Sequence, residues 1–344
     1  MRIKLSQALL IGCAALAGCG GAPKEAEEPK TETMKFEVVG TIDKIDPALD
    51  GIVPTSAPIE KLASGFTFTE GPVWFDEGYL LFSDIPNNVI VKWTPDGQTS
   101  EFLKPSGYDG DDAPPGAFIG SNGLIKDKEG RLVICQHGNG QMVRLEKDGS
   151  KTVLAAKYEG KRLNSPNDAV YKSNGDLYFT DPPYGFVKQD DDPKKELPFN
   201  GVYRLTPDGK LDLLTKDLTR PNGLAFSPDE KYLYIANSDP AKKIWMRYEV
   251  KADGTLASGQ VFADVTTQEA PGLPDGLKID KFGNLYCTGP GGVWVFNPGG
   301  KHLGTIRPPE TPANVTFGDA DGQMLYMTAR TGLYRVRLNV EGIR

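Results

Sequence analysis

Short apolar runs separated by polar turns recur along most of the chain. Leu132-Val133-Ile134, Leu177-Tyr178-Phe179-Thr180, Tyr232-Leu233-Tyr234-Ile235 and Leu285-Tyr286-Cys287 read as buried strands. Each follows a turn: Lys128-Glu129-Gly130, Ser173-Asn174-Gly175-Asp176, Pro228-Asp229-Glu230 and Lys281-Phe282-Gly283. Ahead of each turn stands a second run with a polar lead. These are Ser121-Asn122-Gly123-Leu124-Ile125, Pro166-Asn167-Asp168-Ala169-Val170, Pro221-Asn222-Gly223-Leu224-Ala225 and Pro274-Asp275-Gly276-Leu277-Lys278. A later element of each unit ends in a hairpin signature, as in Trp93-Thr94-Pro95-Asp96-Gly97, Leu145-Glu146-Lys147-Asp148-Gly149 and Leu205-Thr206-Pro207-Asp208-Gly209, with Phe296-Asn297-Pro298-Gly299-Gly300 a looser copy. Asp-Gly marks a tight reversal because the backbone there takes positive φ. Helical periodicity is absent at useful length.

The repeat is roughly 40 to 55 residues long and carries four strands, which is the pattern of a β-propeller blade. The expected fold is therefore all-β, a six-bladed propeller with a central metal-binding channel. Its units start near Gly71, Asn122, Asn167, Asn222, Asp275 and Asn314. The sixth has too few strands on its C-terminal side. Ile59-Glu60-Lys61-Leu62 is expected to supply its outer strand and close the ring, which removes exposed sheet edges. Two polar inserts, 104–119 and 187–198, interrupt the repeat and are placed to lean over one mouth of the ring.

The first residues do not fit this pattern. Arg2 and Lys4 precede a short apolar run, Ala8 to Ala17, too short to span a bilayer and typical of a leader. It ends in Leu16-Ala17-Gly18-Cys19, which resembles a bacterial lipoprotein signal. That resemblance implies lipidation of Cys19 and, with Gly20 following, an outer-membrane anchor facing the periplasm or the cell surface. Three parts follow: 1–18 a lipoprotein signal peptide, 19–57 a tether and lead-in, and 58–344 the propeller. Gly20 to Thr33 is rich in Glu, Lys, Pro and Ala and is read as disordered. Phe36 to Ile42 fits either a short strand or a docked arm. Within the propeller only Cys135 and Cys287 remain, and both are expected as buried free thiols.

Composition narrows the chemistry. The 344 residues include 40 Gly and 27 Pro, as many tight turns require, and the net charge of -7 argues against a nucleic-acid surface. With only two His, no Gly-x-Ser-x-Gly elbow and no His-Glu-x-x-His, serine-hydrolase and zinc-protease machinery are unsupported. In a propeller the innermost strands run along the channel, so the residues that begin them meet at its mouth. Those residues are Glu70, Asn122, Asn167, Asn222, Asp275 and Asn314. Carboxylates and carboxamides offer only oxygen to a cation, which favours Ca2+, with Mg2+, Mn2+ or Zn2+ as other candidate ions. His302 lies in a polar turn and is expected at the surface.

Glu70-Gly71-Pro72-Val73-Trp74, Cys135-Gln136-His137-Gly138, Arg162 to Asp168, Thr180-Asp181-Pro182-Pro183-Tyr184-Gly185, Pro221 to Ser227 and Pro274-Asp275-Gly276 together resemble the family of gluconolactonases, regucalcin (senescence marker protein 30) and luciferin-regenerating enzymes, in its bacterial gluconolactonase branch. The resemblance implies a divalent cation held by Glu70, Asn222 and Asp275, with Asn167 as a further ligand or a substrate contact. It implies substrate-binding roles for Asn122, His137 and Asn167. Gln136 departs from the acidic residue common in that branch, which bears on sugar preference. The implied activity is metal-dependent opening of a sugar lactone, with Asp275 as the catalytic base. Two alternatives remain at this level: an organophosphate or other ester hydrolase on the same metal, and a binding platform with a structural calcium.

Overall fold

The computed structural model describes residues 35–54 and 56–343. The expected leader, the lipidation site Cys19 and the tether up to residue 34 lie outside the described residues.

Six antiparallel sheets follow one another along the chain. Blade 1 is built from Thr69–Phe75, Tyr79–Asp84, Val89–Trp93 and Thr99–Leu103. Blade 2 uses Ser121–Lys126, Leu132–Gln136, Gln141–Leu145 and Lys151–Ala155. Blade 3 uses Ala169–Tyr171, Leu177–Asp181, Gly201–Leu205 and Leu211–Thr215. Blade 4 uses Pro221–Phe226, Tyr232–Asp239, Lys242–Glu249 and Gln260–Asp264. Blade 5 uses Leu277–Ile279, Leu285–Gly289, Gly292–Phe296 and His302–Arg307. Blade 6 uses Pro312–Gly318, Met324–Ala329 and Gly332–Arg337 from the C-terminal end, with Ile59–Ser64 as its outer strand. The expected closure is therefore present. Glu60 faces Arg335 across it, and the two side chains form an ion pair at 2.6 Å.

The ring holds together because the second strand of every blade is apolar on both faces. Leu132 and Ile134 pack with Val73, Leu81 and Ile90 of blade 1, whereas Val133 and Cys135 pack with Ala169 and Phe179 of blade 3. Successive side chains of a strand point to opposite faces. One continuous apolar run thus serves two interfaces, which is why these strands read as unbroken hydrophobic stretches. Six such clusters occur, one between each pair of neighbouring blades. The sixth joins blade 6 to blade 1, where Trp74 stacks on Tyr326 at 5.4 Å between ring centroids. Cys135 and Cys287 are buried free thiols in two separate clusters, as expected.

Within the described residues, the lead-in pairs with two blades. Glu37–Val39 extends blade 6 beyond Ile59–Ser64, and Thr41–Lys44 extends blade 5 beyond His302–Arg307. Gly40 joins them at φ +69, and a Cβ there would lie 2.2 Å from the Arg307 carbonyl oxygen. His302 is a correction to the sequence reading. It lies in a strand, half-buried, with its ring stacked 4.0 Å from that of Trp294. The turn residues that precede it concealed this, because strand register rather than local polarity decides which way it points.

Candidate active site

Strand register locates the mouth of the channel. In blades 2 to 5, regular pairing of the innermost strand begins at Leu124, Ala169, Leu224 and Leu277, opposite Ile134, Phe179, Ile235 and Cys287. Two residues earlier stand Asn122, Asn167, Asn222 and Asp275. In blade 1, Thr69 faces Asp84 as Pro221 faces Asn237 in blade 4, which puts Glu70 at the same level. In blade 6, Val315 faces Met327, so the matching residue is Ala313. The sequence reading placed Asn314 there, one residue too far, because the apolar Ala313 gave no sign of facing the channel. Glu70, Asn122, Asn167, Asn222, Asp275 and Ala313 line a single cavity of about 320 Å³.

The next residue in each strand forms a second, deeper layer. It is glycine in four blades: Gly71, Gly123, Gly223 and Gly276. Here the blades come too close for a side chain. A Cβ on Gly71 would lie 2.0 Å from the Asn122 carbonyl oxygen, and one on Gly276 would lie 2.0 Å from Asn314 Cγ. Blades 3 and 6 carry Asp168 and Asn314 instead. Asn314 Nδ2 donates to Glu70 Oε2 at 3.0 Å and to Asp168 Oδ2 at 3.3 Å, so it separates two buried carboxylates. Lys278 Nζ stands 3.9 Å from Asp168 Oδ2. Asp168 was not singled out from sequence. Its only sign was Asn-Asp-Ala where units 2, 4 and 5 read Asn-Gly-Leu or Asp-Gly-Leu.

The cavity wall is formed by the residue just past the second strand in blades 1, 2 and 6, Ile85, His137 and Arg330, and by the matching Ser238 within that strand of blade 4. Two of these hold the carboxamides in place. His137 Nδ1 lies 3.3 Å from the Phe118 carbonyl oxygen, which can only accept, so Nδ1 carries the proton. Burial pushes His137 down to about 4, against the bond to Phe118, so the ring is neutral at pH 7. Its Nε2 then accepts from Asn122 Nδ2 at 3.1 Å. Likewise Asn222 Nδ2 donates to Ser238 Oγ at 2.9 Å, and the Ser238 hydroxyl donates to the Pro274 carbonyl oxygen. Both amide nitrogens are thereby fixed from outside.

The oxygens are left free. Asn122 Oδ1, Asn222 Oδ1 and Asp275 Oδ1 are buried without a hydrogen-bond partner among the described residues. Buried polar atoms are normally paired, so three orphaned acceptors at one cavity floor fit a bound cation. Burial pushes Glu70 up to about 7, with the Gly71 amide opposing and Asp168 adding to the rise. Asp275 is raised for the same reason, burial first and then the charges of Glu70 and Asp168. A divalent ion would reverse both shifts. Among the described residues no three His, Cys, Asp or Glu side chains gather as a ligand cluster. The donor set here is two carboxylates completed by carboxamides, which suits an oxygen-seeking ion.

The rim comes from the inserts. Phe118 arrives from the first, with its ring edge-on to Phe68 at 5.0 Å, and Gln189 from the second, close to Tyr184. The expectation that both inserts reach one mouth holds. Gln136, in contrast, does not line the cavity. Its Nε2 donates to the Ser106 carbonyl oxygen at 2.8 Å, and its Oε1 accepts from Asn139 and Gln141. It braces the first insert, and its departure from the acidic pattern has no direct contact through which to alter sugar preference.

Residues 68–331 match the model of the SMP-30/gluconolactonase/LRE-like region. This chain belongs to that family. A gluconolactonase of Zymomonas mobilis is 41% identical over 98% of this chain and 97% of its own length. The solved structure of a gluconolactonase from Xanthomonas campestris superposes with a TM-score of 0.76 at 33% identity, over 88% of this chain and 97% of that one. A diisopropyl-fluorophosphatase of Loligo vulgaris is 25% identical over 77% of this chain and 87% of its own. The family match covers all six mouth residues and both carboxamide-holding wall residues, so the cavity described above lies within the shared region.

Proposed function

We propose that this protein is a divalent-metal-dependent lactonase that opens sugar lactones, with Ca2+ as the favoured ion. The observation that carries the reading is the trio of unpartnered oxygens on Asn122, Asn222 and Asp275 beside the Glu70 carboxylate, in a cavity of a gluconolactonase-family propeller. Glu70, Asn167, Asn222 and Asp275 are the residues proposed to hold the ion. When bound, such an ion supplies Lewis-acid polarisation of an ester carbonyl and stabilisation of the negative charge that forms on it.

The chain's own groups do the rest. Asp275 is proposed as the base that takes a proton from the attacking water, through a carboxylate oxygen that the ion would leave free. Asn122 and Asn167 orient substrate hydroxyls. His137 is a positioning residue: with its proton on Nδ1 and its Nε2 engaged by Asn122, it fixes that carboxamide rather than moving a proton. Half-buried Tyr184, whose phenol is raised by burial, stays protonated as a donor at the rim. Phe68, Phe118 and Leu273 give the cavity the apolar part of its lining.

The test is pH-stat hydrolysis of glucono-1,5-lactone by the full chain, with and without a chelator. The reading expects turnover above the spontaneous rate, loss on chelation, return with Ca2+, and loss in Asp275→Ala. A rate indifferent to both chelator and Asp275 would remove the assignment. Similarity to a diisopropyl-fluorophosphatase makes phosphotriesters the second substrate class to screen.

A further inference from the structure

Arg330 occupies the same wall position as His137 and Ser238, but it has nothing to hold. Those two each bond the mouth carboxamide of their own blade. In blade 6 the mouth residue is Ala313, which offers no polar side chain. Among the described residues the Arg330 guanidinium has no ion pair and no hydrogen bond. Its guanidinium carbon lies over the ring of Phe68, 5.4 Å from the centroid. Arg330 is exposed, lines the cavity, and its charge lowers the proton affinity of buried Asp275.

The backbone there favours a different residue. Arg330 has φ 47, a conformation that Gly or Asn adopts more readily. The turn is locked: Thr69 N donates to the Arg330 carbonyl oxygen at 2.7 Å, and Glu310 accepts from Thr331 N and Oγ1 at 2.8 and 2.9 Å. A strained conformer carrying an unpaired cation over an aromatic ring points to a ligand. A planar guanidinium matches a carboxylate or phosphate with two parallel hydrogen bonds, and it can do so while resting on the Phe68 ring.

The cavity charge agrees. With Glu70 and Asp275 ionised, as a bound cation would hold them, the lining sets two carboxylates against Arg330, one net negative charge, which a divalent ion at the mouth would turn into one net positive. We propose that Arg330 selects lactones that bear a second, anionic group, a carboxylate or a phosphate ester, on the part of the skeleton remote from the ring ester. This rests on the lactonase reading and narrows its substrate class.

The test compares three probes on the full chain with Ca2+: glucono-1,5-lactone (neutral), glucaro-1,4-lactone (carboxylate) and 6-phosphoglucono-1,5-lactone (phosphate). Wild type is expected to prefer at least one anionic lactone by tenfold or more in kcat/KM, and the two anionic arms tell carboxylate from phosphate. Arg330→Gln should erase that preference through KM and leave the neutral lactone within about twofold, with Arg330→Lys recovering part of it. Arg330→Gly relieves φ 47, so it should keep or raise Tm while losing the same discrimination, which a merely structural role would not do. Equal losses on neutral and anionic lactones, or no preference in wild type, overturn the proposal while leaving the lactonase reading intact. No opening of any lactone by wild type overturns both.

Discussion

Asn122 and His137 are joined by a hydrogen bond of 3.1 Å in which the carboxamide donates and the ring accepts. The direction follows from the far side of the ring, where only Nδ1 can serve the Phe118 carbonyl oxygen. His137 thereby turns the free Oδ1 of Asn122 toward the cavity. A variant that cannot accept this bond, His137→Phe, should lose about 10- to 100-fold in kcat/KM. His137→Gln, whose amide oxygen accepts, should keep more. The wild-type pH–rate profile should show no inflection near 6.5, because the ring stays neutral down to about 4. An inflection at that pH that disappears in His137→Gln would instead make the ring a proton carrier.

Glu70 gives a pH dependence of the opposite sign to that of an ordinary carboxylate. Its folded value, about 7, lies above the ordinary 4.5, so the metal-free folded state holds the proton more tightly than the unfolded chain. Its contribution to stability is present below pH 4.5 and is lost as pH rises to about 7. In chelator, Glu70→Gln should remove that loss and raise Tm at pH 8 by roughly 3–6 °C, measured by thermal melts. Binding of Ca2+ displaces the proton, so its affinity should weaken up to about tenfold per unit as pH falls below 7, measured by calorimetry. An affinity flat from pH 5 to 8 would rule Glu70 out as a ligand.

Gly276 is fixed by the next blade. A methyl there would lie 2.0 Å from Asn314 Cγ and Oδ1, so Asn314 must move and Glu70 loses its donor. Gly276→Ala should cost about 3 kcal/mol or more in urea unfolding. Gly51→Ala is the control, since a Cβ there meets nothing within 4 Å, and it should change stability by less than about 1 kcal/mol. Equal effects of the two changes would mean that the inner ring is looser than its packing implies.

The proposed anchor is separable from the propeller. Cys19→Ala should move the protein from the membrane fraction to the soluble fraction of cells while lactone turnover per molecule stays unchanged. Membrane association that persists in Cys19→Ala would reject lipidation at this residue.

The sequence alone specified the six-unit repeat, the closure through the strand that begins Ile59-Glu60-Lys61-Leu62 and five of the six mouth residues. These features are local: each unit writes its own turn chemistry and its own two-faced apolar strand, and a repeat makes equivalent positions readable by counting. The exchange of Ala313 for Asn314 shows the limit. A bulge at the start of the innermost strand sets two successive residues inward, so polarity alone cannot say which one is level with its neighbours. Asp168, the neutral state of His137, the bracing of the first insert by Gln136 and the unpaired Arg330 were decided only by tertiary structure. Each depends on what faces it from another blade or from an insert, at separations that no local pattern encodes.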